Sequence, residues 1–246
     1  MKDLLAAEVL KLRTTKTMWA LLGATISLTV LAVVGAVAVA SDQTDLDLES
    51  ARGVRMVLHV SASGAIFVLV LGIIIAAGEY RQRTATDTFL TTPDRRRVVL
   101  AKLIVGAGAG IVFGALAAGA AIAVAAHAYG FKGYEFPLGS GGGWSILGGA
   151  VLYAALFGAL GAATGSLVRD QVGSIVGWLA WLFVAENIVL GIASGVGRWL
   201  PAAAVRALVR DPNGDFLSQR TGAAVLATYV AVVAVLAVFV ERHRDA

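Results

Sequence analysis

The sequence predicts an all-α integral membrane protein with six transmembrane helices. Of its 246 residues, 58% are hydrophobic and only 15% are charged, and its mean hydropathy is +0.81. A soluble domain carries about 25% charged residues, so much of the apolar surface has to face lipid. The apolar runs are continuous and rich in Ala, Leu and Gly, without the alternation that a membrane β-barrel requires.

Six stretches are long enough to span, since a helix needs about 20 mostly apolar residues to cross a hydrocarbon core of about 30 Å. The chain, residues 1–246, is interpreted as a single transmembrane domain with spans at approximately residues 18–40, 59–77, 100–127, 144–168, 172–193 and 221–240. The first apolar run of about 23 residues exceeds the apolar region of a cleavable signal peptide. It is therefore expected to stay as a span.

The distribution of Lys and Arg predicts the topology. Of the 20 basic residues, 13 lie on the side of the N-terminus, the second loop and the C-terminus, and seven lie on the other side. The positive-inside rule then places both termini in the cytoplasm. Because the basic residues follow the topology, the pI near 9.6 indicates a lipid bilayer as partner and not nucleic acid.

A short amphipathic segment precedes the first span. Leu5, Val9 and Leu12 fall at i, i+4 and i+7, and four basic residues between Lys2 and Lys16 interleave with them. This pattern favours an N-terminal helix that lies in the membrane interface, with its charges reaching the headgroups. A simple basic anchor is the alternative.

The second loop, from Gly78 to Leu103, reads GEYRQRTATDTFLTTPDRRRVVLAKL. It is dense in charge, yet it contains Tyr80, Phe89 and Leu90. One interpretation is a small amphipathic cytoplasmic element that presents Phe89 and Leu90 to a partner or to the membrane. The other is an ordinary basic loop that anchors to headgroups.

Glu186 is a formal charge deep within the fifth predicted span, next to Asn187. Charged residues in hydrocarbon are costly and face a bundle interior or a water-filled cavity. Glu186 is thus either a polar lining of an outward gate or a structural group that pairs or caps a helix. We expect Arg198 or Arg206 to neutralise it.

Between the fifth and sixth spans, residues 195–220 read as short amphipathic helical pieces around Trp199 and Pro201. They either re-enter the membrane or lie on its surface. Small residues spaced by four let helices approach closely, and the pattern predicts packing within the chain or a homodimer seam. The glycines with this spacing are Gly106, Gly110, Gly114, Gly161, Gly165, Gly173 and Gly177.

The sequence offers no catalytic or metal-binding pattern. It has no cysteine and no Walker A motif, and its three histidines are far apart without a metal-ligand spacing. The chain is therefore not expected to be an enzyme, to hydrolyse ATP or to bind a cofactor of its own. ATP hydrolysis, if it drives this protein, belongs to a partner chain.

Several segments together resemble the permease subunit of bacterial type-2 ABC exporters, of the actinobacterial kind. They are AEVLKLRTTKT before the first span, GEYR ending the second, TPDRRR and Ala-Lys-Leu entering the third, and the later WLFVAEN and Trp-Leu-Pro. The resemblance implies that the second loop forms a coupling helix that docks on a separate ATPase subunit. The matching positions are Glu79, Tyr80, Arg81, Thr84, Thr88, Phe89, Pro93, Arg96 and Lys102.

The resemblance further implies half of a transport pathway in the bacterial plasma membrane. A second permease copy or a related permease would complete it, and two ATPase subunits would hold ATP and Mg. Glu186, Asn187, Trp199 and Pro201 would line the pathway or its gate. The cargo of such exporters ranges over drugs, as in multidrug export, peptides, lipids and polysaccharides. The alternatives are a non-transporting membrane scaffold and a proton-coupled secondary transporter that uses Glu186.

Overall fold

The computed structural model describes residues 1–42, 48–81 and 94–243, and within these ranges the chain is helical and contains no strand. The predicted all-α fold is confirmed. The helices are α1 Lys2–Thr14, α2 Lys16–Asp42, α3 Ala51–Leu58, α4 Ile66–Arg81, α5 Arg95–Phe131, α6 Gly143–Val168, α7 Gln171–Ala180, α8 Glu186–Ile192, α9 Ser194–Gly197, α10 Pro201–Leu208 and α11 Gln219–His243.

Six helical segments of the described chain are long and apolar enough to cross a membrane, as the sequence predicts. They are Lys16–Ala40, Ala51–Arg81, Arg95–Phe131, Ser140–Val168, Gln171–Ile192 and Gln219–Glu241. Two of them contain two α-helices each. A 3₁₀ segment, His59–Ala65, joins α3 to α4, and a π-helical turn, Trp181–Ala185, joins α7 to α8.

The second and third spans begin earlier than the hydropathy pattern predicts, because capping residues set the ends of helices and apolar content does not. The Ser50 hydroxyl accepts a hydrogen bond from the Gly53 N–H at 3.1 Å. Likewise, Asp94 accepts from the Arg96 N–H at 3.2 Å. Both helices therefore include a polar first turn ahead of their apolar stretch.

Helix α6 is the centre of the bundle and packs against α4, α5 and α11. Glycine makes these approaches possible. A Cβ added at Gly110 would overlap the Ala154 carbonyl, and one at Gly161 would overlap the Leu69 carbonyl. The predicted glycines of these two helices all pack within the chain: Gly106, Gly110, Gly114, Gly161 and Gly165. A Cβ added at Gly177 would meet no atom within 4 Å outside its own turn of helix, so the absence of a side chain there serves no close contact among the described residues.

The fifth and sixth spans contribute least to the core. In the apolar stretch of each of these spans only 11% of the residues are buried, against 72% in the fourth span. The apolar surfaces of α7, α8 and α11 are therefore left for lipid or another chain.

We call the end of the bundle that carries α1, the end of α4 and the start of α5 the basic end. Helix α1 packs there through part of its predicted apolar face. Leu12 is in the core and Leu5 packs against it, whereas Val9 is 44% exposed. Glu8 is buried on the same side of the helix, where it has cationic partners inside the bundle.

Candidate functional site

Four charged side chains from three elements form a cluster at the basic end, which we call the inner cluster. Lys11 Nζ lies 2.6 Å from Glu79 Oε1 and 2.9 Å from Glu8 Oε1. Lys102 Nζ lies 2.9 Å from Glu79 Oε2 and 3.5 Å from Glu8 Oε2. Two acids and two bases alternate, so each carboxylate bridges both ammonium groups. The cluster therefore ties α1 to α4 and α5.

Burial makes the inner cluster sensitive to the loss of any member. Glu8 and Lys102 are only 2% and 3% exposed. Removing one partner of a buried ion pair leaves an uncompensated charge and costs about 3–5 kcal/mol. Lys102, which the charge count assigns to the loop side of the third span, is instead a buried residue of α5.

Lys11 is the solvent-facing member of the inner cluster, with half of its side chain exposed. Partial burial lowers the pKa of Lys11, but hydrogen bonds to Glu79 and Glu8 outweigh that effect and raise it above its ordinary value. A raised lysine pKa contributes stability that is full below about pH 10.5 and is lost only as the pH rises further. Lys11 is therefore charged throughout the neutral range.

A second set of contacts, the outer cluster, starts from the next residue along the chain. The Tyr80 hydroxyl donates to Glu241 Oε1. Arg169 donates to Glu241 Oε2 through Nε at 3.1 Å and through Nη2. Arg95 Nη1 donates to the Glu241 carbonyl oxygen at 2.7 Å. Residues from α4, α5, α11 and the α6–α7 junction meet around one buried carboxylate.

Arg169 reaches Glu241 from a backbone conformation that is unusual for its residue type. It caps the C-terminus of α6 with φ +61° and ψ 5°, a region that costs a non-glycine residue about 1–2 kcal/mol. Its guanidinium also lies 4.8 Å from the centre of the Tyr80 ring. The ion pair and the ring contact offset the backbone strain.

The structure brings together only part of the predicted coupling interface. Glu79 belongs to the inner cluster and Tyr80 to the outer cluster. Arg81 and Arg96 are exposed at the end of α4 and the start of α5. The other four predicted residues, Thr84, Thr88, Phe89 and Pro93, lie outside the described residues.

Sequence reasoning missed Glu8, Arg169 and Glu241 as site residues. Glu8 left a signal, because it follows Leu5 by three residues and precedes Leu12 by four, which puts an acid on the packed face of α1. The sequence signal for Glu241 is weaker: a carboxylate directly after an apolar span needs polar partners. Arg169 left none.

At the opposite end, Glu186 is fully buried (0% exposed). Its Oε2 accepts a hydrogen bond from the Ala202 N–H at 2.6 Å, in the first turn of α10, just after Pro201. Of the two arginines expected to neutralise Glu186, Arg206 attracts it electrostatically, without an ion pair between them among the described residues, and Arg198 is exposed. The partial positive charge at the N-terminus of α10 adds to this attraction.

The other predicted gate residues have separate environments. The Asn187 amide oxygen accepts from Arg206 Nη2 at 3.4 Å, Trp199 is 47% exposed, and Pro201 is buried. Helix α10 packs against α6 and α11, with Ala203, Ala204 and Leu208 fully buried. Glu186 therefore fastens α10 to α8 at this end.

The fold and the two clusters define a multi-pass helical membrane protein with networks of buried ion pairs at its basic end. Its family follows from comparison with known sequences. The chain belongs to the ABC-2 transporter family: the family model described as "ABC-2 family transporter protein" matches residues 4–184, from α1 into the fifth span. No curated protein matches the chain significantly.

Membership confirms the resemblance to type-2 ABC permeases. The chain is a permease subunit of an ABC transporter. As such it is a membrane transport component and not itself a catalytic chain. The family also implies a partnership with an ABC ATPase subunit.

Proposed function

We propose that this chain is the membrane-spanning half of an ATP-driven exporter and that its basic end docks on the ATPase. The segment 82–93 then acts as the coupling element. In this arrangement the basic end and both termini face the cytoplasm of a bacterial cell, in agreement with the excess of Lys and Arg on that side.

One observation carries the proposal: buried charges hold both flanks of the segment 82–93. On its N-terminal side, Glu79 and Tyr80 enter the inner and outer clusters. On its C-terminal side, Arg95 bonds to Glu241. Such anchors resist displacement, because breaking a buried ion pair costs about 3–5 kcal/mol, against about 0–1 kcal/mol for a surface pair.

The clusters provide a route for force. ATP-dependent closure of the ATPase subunits would displace the segment 82–93, and α4 would move with it. The inner cluster would carry α1 and α5 along, and the outer cluster would carry α11 and the α6–α7 junction. Such a shift drives export only if its two end states bind cargo differently.

A complete pathway requires a second permease, either another copy of this chain or a related one, and two ATPase subunits. The weakly packed surfaces of the fifth and sixth spans leave room for such a partner. ATP and Mg would be bound by the ATPase subunits, and ATP hydrolysis there would drive both permease subunits.

The proton-coupled alternative depends on Glu186. Its burial is compatible with a proton carrier, but its hydrogen bond to Ala202 gives it a structural task. Transport that needs a proton gradient and no ATP would favour this alternative. A scaffold role is distinguished by the absence of transport altogether.

The direct test is to purify the tagged chain from its native membrane in mild detergent and to identify what accompanies it in a fixed ratio. We expect a Walker-motif ATPase, and we expect Phe89→Asp to release it. Phe131→Asp is the matched control, since Phe131 is 82% exposed at the other end of α5. Recovery of the chain with no nucleotide-hydrolysing partner would contradict the proposal.

A further inference from the structure

A cavity of about 330 Å³ lies at the end opposite the basic end, between the 3₁₀ segment, α6, the fifth span and α10. Pockets of about 300–1,000 Å³ with mainly apolar walls and a few placed polar groups are typical ligand sites. This cavity has that character, and neither cluster at the basic end takes part in it.

Arg206 is the cation of the cavity wall, and its close contacts are neutral. Its Nη2 donates to the Asn187 amide oxygen at 3.4 Å, and its guanidinium lies 5.6 Å from the centre of the Phe216 ring. Among the described residues no carboxylate lies within ion-pair distance of it. Glu186 attracts Arg206 from beyond ion-pair distance.

The acid on the same wall is already satisfied. Asp211 Oδ1 accepts hydrogen bonds from the Asn213 backbone N–H at 2.9 Å and from its side-chain amide at 3.0 Å. His59 Nε2 lies 3.9 Å from the same oxygen. Arg206 is thus the charged group in the cavity that lacks a close counter-ion.

The rest of the wall is aromatic and apolar. Tyr153 and Phe157 form an edge-to-face pair with ring centres 4.3 Å apart. The Tyr153 hydroxyl makes no hydrogen bond to any described residue. Phe183 lines the cavity and is 64% exposed, so the cavity opens at the lipid-accessible surface of the fifth span.

We propose that this cavity binds an amphiphile with an anionic headgroup. Arg206 pairs with the headgroup through charge-assisted hydrogen bonds, and Tyr153, Phe157 and Phe183 contact the apolar chain. The planar guanidinium of arginine matches the geometry of phosphate and carboxylate groups. A phospholipid phosphate and a fatty-acid carboxylate share this chemistry. Binding does not depend on ATP coupling; only a role of the ligand as cargo would rest on the proposed function.

The test is photoaffinity labelling of the purified full chain in phosphatidylcholine nanodiscs. Three diazirine-bearing probes with the same acyl chain are compared: phosphatidylglycerol, a fatty acid and neutral diacylglycerol. Labelled peptides are mapped by mass spectrometry. We expect an anionic probe to label residues 153–157 and 183–187, and the neutral probe to label them about tenfold less, the value of one charged hydrogen bond.

Variants make the assignment specific. Arg206→Gln should lower labelling by the anionic probes about tenfold, and Arg206→Lys should retain most of it. Arg198→Gln is the control: it removes a positive charge from the same segment between the fifth and sixth spans, but outside the cavity, and should leave labelling unchanged. Whether the phospholipid or the fatty acid labels better identifies the source. Equal labelling by the neutral probe overturns the proposal even if Arg206→Gln fails to fold. Labelling that maps elsewhere overturns it as well.

This outcome is separable from the test of coupling. Labelling requires no ATPase partner, so a failure of Phe89→Asp to release the ATPase would leave it unchanged. Conversely, absence of labelling would leave ATPase docking intact.

Discussion

At the scale of single residues, the adjacent Glu79 and Tyr80 belong to different clusters at the basic end. Neighbouring side chains on α4 point to different partners, so Glu79 joins the cations of α1 and α5 while Tyr80 joins the carboxylate of α11. The family resemblance pointed to both residues. It could not supply their partners, because Lys11 is 68 residues from Glu79 and Glu241 is 161 residues from Tyr80.

Lys102→Met tests the inner cluster. It removes one of two buried cations, so two carboxylates share Lys11, and the free energy of unfolding should fall by about 3–5 kcal/mol. Thermal unfolding in detergent measures the change. Arg97→Met is the control, since Arg97 pairs with Asp94 at the surface (62% and 47% exposed) and such pairs contribute about 0–1 kcal/mol. Equal effects of the two substitutions would show that the inner cluster is not a buried ion-pair network.

Glu186 is tested by two substitutions that separate capping from proton transfer. Glu186→Gln keeps a side-chain oxygen that can accept from the Ala202 N–H, so the fold and transport should survive. Glu186→Ala removes the acceptor and should cost about 1–2 kcal/mol, as loss of a helix cap does. For both variants, thermal unfolding measures stability, and uptake into inverted vesicles measures transport. If Glu186→Gln folds normally and abolishes transport, the capping interpretation is wrong.

At the scale of elements, the bundle is organised by how closely its helices approach. The glycine spacing of α5 predicted close packing, and the structure shows the partner to be α6. From the sequence, these glycines could pack either within the chain or against a second copy, because a helix face of small residues suits either partner equally well. Helix α1 shows the opposite case, in which Glu8 overrides the apolar pattern.

Gly110→Ala and Gly108→Ala form a matched pair on α5. A Cβ at Gly110 would meet the Ala154 backbone, whereas Gly108 has nothing within 4 Å. Gly110→Ala should therefore destabilise the protein by about 1–3 kcal/mol through overpacking. Gly108→Ala should change stability by no more than about 1 kcal/mol, in the stabilising direction, because alanine favours helix. Thermal unfolding of both variants in one detergent checks this, and a reversed order would contradict the packing of α5 on α6.

At the scale of the whole molecule, the structure separates its chemistry by end. The buried ion pairs lie at the basic end, and the Arg206 cavity and the buried Glu186 lie at the other. This arrangement is consistent with the two proposals: an ATPase docked at the basic end and an amphiphile bound at the opposite end.

Cysteine labelling tests the proposed orientation cleanly because the sequence contains no cysteine. Asp3→Cys and Lys132→Cys place single thiols in the first turn of α1 and just after α5. A membrane-impermeant maleimide should label Lys132→Cys in intact cells and Asp3→Cys only after permeabilisation. Labelling of Asp3→Cys in intact cells would reverse the topology and remove the basis for ATPase docking at the basic end.

The sequence by itself determined that this protein is a six-span helical membrane protein and carried the resemblance to its family. The spans follow from composition and from runs of about 20 apolar residues, and the resemblance follows from short segments such as GEYR and TPDRRR; both are local properties of the chain. Only the tertiary structure decided that Glu8 turns inward, that Glu241 gathers Tyr80 and Arg169, and that Ala202 binds Glu186. Ion pairs and caps of this kind join residues distant in the chain, and their partners are chosen by packing, which a single sequence does not reveal.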